Sequence, residues 1–317
     1  MRIAVTGGLG FIGSNFIRLV LREHPQDTIV NIDKETYASN RAFLKEYSDD
    51  SRYTFHHGDI ARLEEVEKAL SDVDAIVNFA AESHVDNSIQ SVGPFLSSNY
   101  LGAINLLDIA KERCIRFNQV STDEVFGSLP IEGREKFTEK SCYNPRNPYS
   151  ATKAAADHMA MAYHNTHAVP VTITHSSNNY GPHQHREKLI PKTILNSLDG
   201  RKVPLYGNGK QVRDWVYVED NCRAIDMVLR RGTPGRRYII GGNSEMANTD
   251  VVRRILEIMG KGIEHIEHVE DRPGHDLRYA SDFSSLRAEL GWEPRVDFSD
   301  GIRRTVEHYV GNRELYF

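Results

Sequence analysis

The chain has 317 residues, and its 39 Lys and Arg against 44 Asp and Glu give a formal net charge of −5. That balance excludes the broad basic face needed for nucleic-acid or anionic-membrane binding, while leaving room for a local basic pocket around a small phosphate ligand. With 39% hydrophobic residues, 26% charged residues and only 3 cysteines (Cys114, Cys142 and Cys222, far apart and without a CxxC pair), it reads as a folded chain of about two domains with no disulfide framework or cysteine zinc site.

Arg2-Ile3-Ala4-Val5-Thr6 is a short strand pattern that runs directly into a glycine loop, so no signal peptide is expected at this end. No apolar run approaches the ~18 residues of a membrane span, and a cytoplasmic protein is the expectation. Apolar runs at residues 3–6, 28–33, 53–57, 75–79, 117–121 and 169–175 predict strands. The stretches 12–23, 63–70, 100–113 and 149–164 predict intervening helices; in the second, Leu63, Val66 and Leu70 recur at helical spacing. Ile29-Val30-Asn31-Ile32 and Ala75-Ile76-Val77-Asn78-Phe79 are nearly continuous, as strands buried on both faces should be. This alternation predicts an α/β fold, a doubly wound parallel (Rossmann) sheet with a smaller C-terminal substrate domain. After residue 177 the loops lengthen and become richer in Gly and Pro, with helices expected at 189–198, 220–231 and 249–259. The expected division is 1–176 for a cofactor-binding domain and 177–317 mainly for a substrate domain, some of whose segments return to the first. A cleft at their junction is the expected ligand site.

Gly7, Gly10 and Gly13 form a G-x-x-G-x-x-G loop between the first strand and the first helix. Such a loop lets backbone approach a pyrophosphate closely, and the helix N-terminus offers free N–H groups to the phosphates. Asp33 ends the second strand 20 residues after Gly13, where a carboxylate accepts from ribose hydroxyls and repels a 2′-phosphate. The pattern predicts NAD; adjacent Lys34 makes discrimination against NADP less sharp. Tyr149 and Lys153 stand at i and i+4 of a predicted helix. A phenol ordinarily titrates near ~10, and a neighbouring ammonium is expected to lower it enough for Tyr149 to act as a general base.

With both motifs in one chain, the sequence resembles the extended short-chain dehydrogenase/reductase family, which acts mainly on nucleotide sugars. The resemblance covers essentially the whole length and sharpens at Ser121-Thr122-Asp123-Glu124-Val125-Phe126-Gly127, where adjacent carboxylates can divide acid and base roles. Phe79-Ala80-Ala81-Glu82-Ser83-His84-Val85-Asp86, Ser177-Asn178-Asn179-Tyr180-Gly181-Pro182, Glu187-Lys188-Leu189-Ile190-Pro191, Arg213-Asp214-Trp215 and Asp271-Arg272-Pro273-Gly274-His275-Asp276 are similar to dTDP-glucose 4,6-dehydratases.

That resemblance implies oxidation of the sugar at C4, loss of water across C5 and C6, and reduction at C6 with the same hydride. It gives Tyr149 the C4 hydroxyl proton and assigns Lys153 to the tyrosine and the nicotinamide ribose. Thr122 positions the sugar, Glu124 removes the C5 proton, and protonated Asp123 donates to the departing C6 hydroxyl. Implied NAD contacts are Phe11, Ile12, Asp33, Lys34, Thr36, Asp59, Ile60, Phe79, Ala80, Ala81, Ser83, Ser98 and Asn179, beside the glycine loop. Implied substrate contacts are His84, Asn178, Lys188, Leu189, Pro204, Tyr206, Asn248, Arg272 and His275, together with Arg213, whose planar fork suits a pyrophosphate.

The chain departs from the family's commonest pattern at Phe126 (a tyrosine there), His175 and Asn87 (arginines there), and His185-Arg186 (a Phe-Pro pair there). These departures are expected to leave the acid–base set untouched. Despite 14 histidines, no zinc-type ligand spacing appears, and no metal is expected. Helices 100–112 and 149–164 suggest a homodimer through a helix bundle, as in relatives. The alternative readings are a 4-epimerase or nucleotide-glucuronate decarboxylase on the same scaffold, or a silent NAD sensor. The Asp123-Glu124 pair argues against the epimerase, and a sensor would need neither that pair nor Tyr149 and Lys153.

Overall fold

The computed structural model describes residues 1–271 and 274–316. Strands β1 (Arg2–Thr6), β2 (Thr28–Asp33), β3 (Tyr53–His57), β4 (Ala75–Asn78), β5 (Arg116–Thr122) and β6 (Val171–Ser176) come from the first half. The second half supplies β7 (Asn178–Tyr180), β8 (Val203–Tyr206), β9 (Val212–Tyr217), β10 (Arg236–Ile240), β11 (Glu245–Ala247) and β12 (Ile266–Val269). A seven-stranded sheet runs in the order β10-β6-β5-β4-β1-β2-β3, all pairs parallel. Strand order reverses between β1 and β4, and a crevice at such a switch point, beyond the strands' carboxyl ends, is where this architecture binds ligands.

The helices are α1 (Phe11–Glu23), α2 (Leu63–Val66), α3 (Val85–Gln90), α4 (Gly93–Phe95), α5 (Gly102–Arg113) and α6 (Pro148–His167), then α7 (Leu189–Leu198), α8 (Val218–Arg231), α9 (Asn248–Ile258), α10 (Ser284–Leu290) and α11 (Phe298–Gly311). Alternation along β1 divides the core: Ile3 and Val5 pack with α1, α8 and α10, whereas Ala4 packs with α5 and α6 on the opposite face. A third cluster joins Ile190 and Ile194 of α7, Val251 and Ile255 of α9, and Ile302 and Val306 of α11. It covers a smaller sheet ordered β11-β9-β7. Among the described residues, no helix is long and apolar enough to cross a membrane.

Beneath the crevice, side chains fix the strand register. Thr6 Oγ1 donates to Asn78 Oδ1 at 2.7 Å, and Asn78 Nδ2 donates to Gln119 Oε1 at 2.9 Å. All three residues are buried, so a slip in register would leave these amides unpaired. Asn147 starts α6 as one half of a capping box with Ser150, and Pro148 occupies the first turn. This fixes the helical phase that carries Tyr149 and Lys153 inward.

Two expected boundaries change. The helix expected at 63–70 stops at Val66, because the carbonyls of Glu67 and Leu70 turn outward to meet the Arg113 guanidinium. The strand expected at 169–175 begins at Val171, since Pro170 has no N–H to give a ladder. Residues beyond 176 also complete the first sheet: β10 pairs with β6, and α8 packs against α1.

The glycine loop is set by packing. Gly7 has φ +70°, and a Cβ there would sit 2.7 Å from Ala80 backbone; a Cβ at Gly13 would sit 2.4 Å from the Gly7 carbonyl oxygen. Gly13→Ala is therefore expected to lower unfolding stability by about 1–3 kcal/mol and to weaken retention of a cofactor. Urea unfolding with an unchanged m-value, together with assay of cofactor released on denaturation, checks both.

Candidate active site

A cleft of about 1200 Å³, its open mouth included, follows the carboxyl ends of the strands. Gly7, Gly10, Phe11, Ile12 and Gly13 line its floor, with Asp33, Lys34, Thr36, Asp59, Ile60, Phe79, Ala80, Ala81, Ser83, Ser98, Tyr149 and Lys153 around it. Gly10 begins α1 without a side-chain cap, leaving the first N–H groups of that helix for a ligand. A Cβ on Gly10 would meet only the Gly7 carbonyl oxygen, at 3.3 Å. Loop and helix end together fit the pyrophosphate of a dinucleotide.

Asp33 does more than wait for a ribose. Its Oδ2 accepts from the Leu9 N–H at 3.0 Å, and its Oδ1 accepts from the Glu35 N–H and Ser39 hydroxyl, each at 2.8 Å. Of roughly four acceptor positions, about one remains for a ligand. Lys34 Nζ is held by Ser98 Oγ at 2.7 Å and Asp59 Oδ2 at 3.4 Å. Its charge is thus compensated within the protein, which restores the discrimination that its position beside Asp33 had blurred.

Asn179 does not line the cleft; its Nδ2 donates to the Ser177 carbonyl, while its buried Oδ1 has no hydrogen-bond partner. The motif reading missed Ala38, Ser39, Gly58, Val120, Ser121, Gln184 and His185, all of which line it. Ser39 carries a legible signal as a small hydroxyl six residues after Asp33. Gln184 and His185 arrive from a distant loop, which no local pattern announces.

At the carboxyl end of β5 the chain turns through Asp123 and Glu124. Thr122 Oγ1 caps this turn by accepting from the Glu124 N–H at 3.3 Å, and its side chain also hydrogen-bonds Tyr149. Asp123 is buried, and its Oδ2 has no hydrogen-bond partner. Burial first, then the neighbouring Glu124 and Asp214 carboxylates, push it well above the usual carboxylate range, although Arg213 opposes them. A shift in this direction favours the protonated carboxyl, the form that can act as an acid. Asp214, also raised by burial, is itself held by the Gly242 and Ser244 N–H groups at 3.0 and 2.8 Å.

The expectation for Tyr149 needs correction. Burial first, then the surrounding carboxyls with Glu124 foremost and Asp157 adding to the rise, push its phenol above the ordinary value, and the Thr122 hydrogen bond opposes them. The Lys153 ammonium donates to the Val120 carbonyl at 2.6 Å. Burial pulls Lys153 down to about 8, against the opposing charge of Asp157. The protein alone therefore holds Tyr149 as a phenol, and a further positive charge in the cleft is needed to make it a base.

Of the substrate candidates, only Lys188 lines this cleft; its Nζ donates to the Ser83 carbonyl at 3.1 Å. His84 Nε2 lies 3.4 Å from Glu187, and the buried Asn178 Oδ1 has no hydrogen-bond partner. Leu189 opens α7 and Asn248 opens α9. Pro204 and Tyr206 lie on β8, where the Tyr206 ring sits 6.2 Å from His275, itself bonded to Asp271 at 2.6 Å. Arg213 is buried over the Tyr279 ring at 4.3 Å, with two donors committed to the Val212 and Asp276 carbonyls. Arg272 lies outside the described residues.

Residues 4–305 match the family model of GDP-mannose 4,6 dehydratase. The chain belongs to this family. It is 50% identical to the low-salt glycan biosynthesis protein Agl12 of Haloferax volcanii, over 99% of this chain and 100% of that protein. It is 45% identical to the dTDP-glucose 4,6-dehydratase of Haemophilus influenzae, over 98% of each. The crystal structure of dTDP-glucose 4,6-dehydratase from Bacillus anthracis in complex with NAD superposes with a TM-score of 0.93 and 45% identity, covering 100% of this chain and 98% of that one.

Two departures from the family's commonest pattern meet in space. The Phe126 ring packs 4.8 Å from the His175 ring, and His175 Nε2 lies 3.0 Å from Asp157 Oδ2. Through His175 the two departures border Asp157, whose charge opposes the effect of burial on Lys153.

As pH rises past about 8, Lys153 loses its ammonium proton and turnover of this dehydratase-family chain is expected to fall. Lys153→Arg, which stays charged, should move that limb upward even where its peak rate is lower. Steady-state pH–rate profiles of both proteins check this.

Proposed function

We propose that the chain is an NAD-dependent nucleotide-sugar 4,6-dehydratase acting on dTDP-glucose in the cytoplasm, with dTDP-4-keto-6-deoxyglucose and water as products. One observation carries the reading. A buried Asp123, pushed toward its protonated form, adjoins Glu124 within one turn of a Thr122–Tyr149 pair. A 4-epimerase needs the hydroxyl and phenol but has no use for a carboxylic acid beside a carboxylate.

The glycine loop, the α1 N-terminus, Asp33 and Lys153 would hold NAD. Bound there, NAD supplies the hydride acceptor for C4 and the donor for C6, together with the positive charge that the Tyr149 phenol lacks. Tyr149 then takes the C4 hydroxyl proton, aimed by Thr122. The resulting C4 ketone acidifies the C5–H, and Glu124 removes that proton. Asp123 gives its own proton to the C6 hydroxyl, which leaves as water as the C5–C6 double bond forms. Segments beyond residue 176, apart from α8, β10, α10 and the loop carrying Gln184 and His185, are assigned mainly to the nucleotide sugar. The exposed Ile89, Val92, Leu96 and Leu101 along the α3–α5 region support a homodimer through that face.

Incubation with dTDP-glucose should give a product lighter by one water, read by mass spectrometry. Unchanged sugar or its C4 epimer would defeat the reading. Tyr149→Phe should slow turnover by about 10²–10⁴. Asp123→Asn keeps size but cannot act as an acid, so it should stall after oxidation, with cofactor absorbance showing reduction and C5 exchanging with deuterated water. Glu124→Gln should also accumulate reduced cofactor but show no C5 exchange.

A further inference from the structure

Below the Tyr149–Lys153 face lies a buried polar cluster that the reaction as described does not use. Asp157 stands four residues after Lys153 on α6, so both side chains share one face of the helix. Asp157, His175, Ser121 and Lys153 are all buried. A single oxygen, Asp157 Oδ2, collects the Ser121 hydroxyl at 2.6 Å, His175 Nε2 at 3.0 Å and the Tyr143 hydroxyl at 3.4 Å. The other oxygen, Oδ1, is buried and has no hydrogen-bond partner.

We propose that Asp157 is the buried counter-ion of Lys153, aimed by Ser121, His175 and Tyr143, and that it is a positioning residue acting on the reaction through the lysine's charge. A buried ammonium without a compensating charge sheds its proton. The Val120 carbonyl that accepts from Lys153 is a dipole and supplies no net charge. Asp123 and Glu124 act on Tyr149, Asp157 also raises that phenol, and Lys188 borders the cleft. Around the cluster, Arg237 lies 5.2 Å above the Tyr143 ring and His158 lies 4.6 Å from it.

This inference rests on Tyr149 and Lys153 being the catalytic pair. Asp157→Asn keeps the size of the side chain and an acceptor for Ser121, so its main effect is on charge. The basic limb of the kcat profile should move down by at least about one pH unit, while kcat at pH ~6 stays within about tenfold of wild type. A second readout is independent of turnover: urea unfolding midpoints of Asp157→Asn, Lys153→Met and the double variant. Their losses should be strongly non-additive, with the double variant more stable than Asp157→Asn, because an apolar residue needs no counter-ion. Should Asp157→Asn fail to fold, adding Lys153→Met should recover folded protein. An unmoved basic limb, additive losses, or a double variant no better than Asp157→Asn overturns the proposal. A wild-type protein inactive on every nucleotide sugar would instead strike at the proposed function and leave the unfolding comparison standing.

Discussion

Removal of water from the carboxyl end of β5 is the constraint on which the site depends. Asp123, Tyr149 and Lys153 are buried there together, and each is pushed toward its neutral form. For the two acids this means retaining a proton, and for the lysine it means losing one readily. Charge is thus admitted in the region only where a specific neighbour stabilises it. Arg213 tempers Asp123, Thr122 tempers Tyr149, and Asp157 tempers Lys153.

The fold supports this environment from below. Thr6, Asn78 and Gln119 hold β1, β4 and β5 in register, so the strand ends meet the cleft at fixed heights. The capping box of Asn147 and Ser150 sets the phase of α6, which turns Tyr149, Lys153 and Asp157 toward the same side. Family relatives share this scaffold at high structural similarity. The reaction class therefore follows from the acid beside β5, because the sheet and glycine loop alone do not separate dehydration from epimerisation.

Much of this was legible in the sequence because it is local. The glycine loop, Asp33 at a strand end, the Tyr149–Lys153 spacing and the Asp123-Glu124 pair are each written within a few residues of one another. Groups brought together by distant segments were not legible. Gln184 and His185 reach the cofactor cleft from the second half of the chain, and β10 joins a sheet whose other strands precede it by many residues. The tyrosine was misread for a physical reason. Helical spacing brings Lys153 to the right face, but it cannot reveal that Val120 takes up the ammonium or that two carboxyls crowd the phenol. Arg213 likewise reads as an open pyrophosphate clamp, yet it is stacked on Tyr279 and bonded to backbone.

The central claim is that Asp123 is a neutral acid at physiological pH while lying beside Glu124. Infrared difference spectroscopy of the cofactor-loaded protein at neutral pH, wild type minus Asp123→Asn, reads this directly. The account predicts a positive carbonyl-stretch band of a protonated carboxyl that shifts in deuterium oxide. A carboxylate band in its place, with no protonated carboxyl lost on substitution, would contradict it.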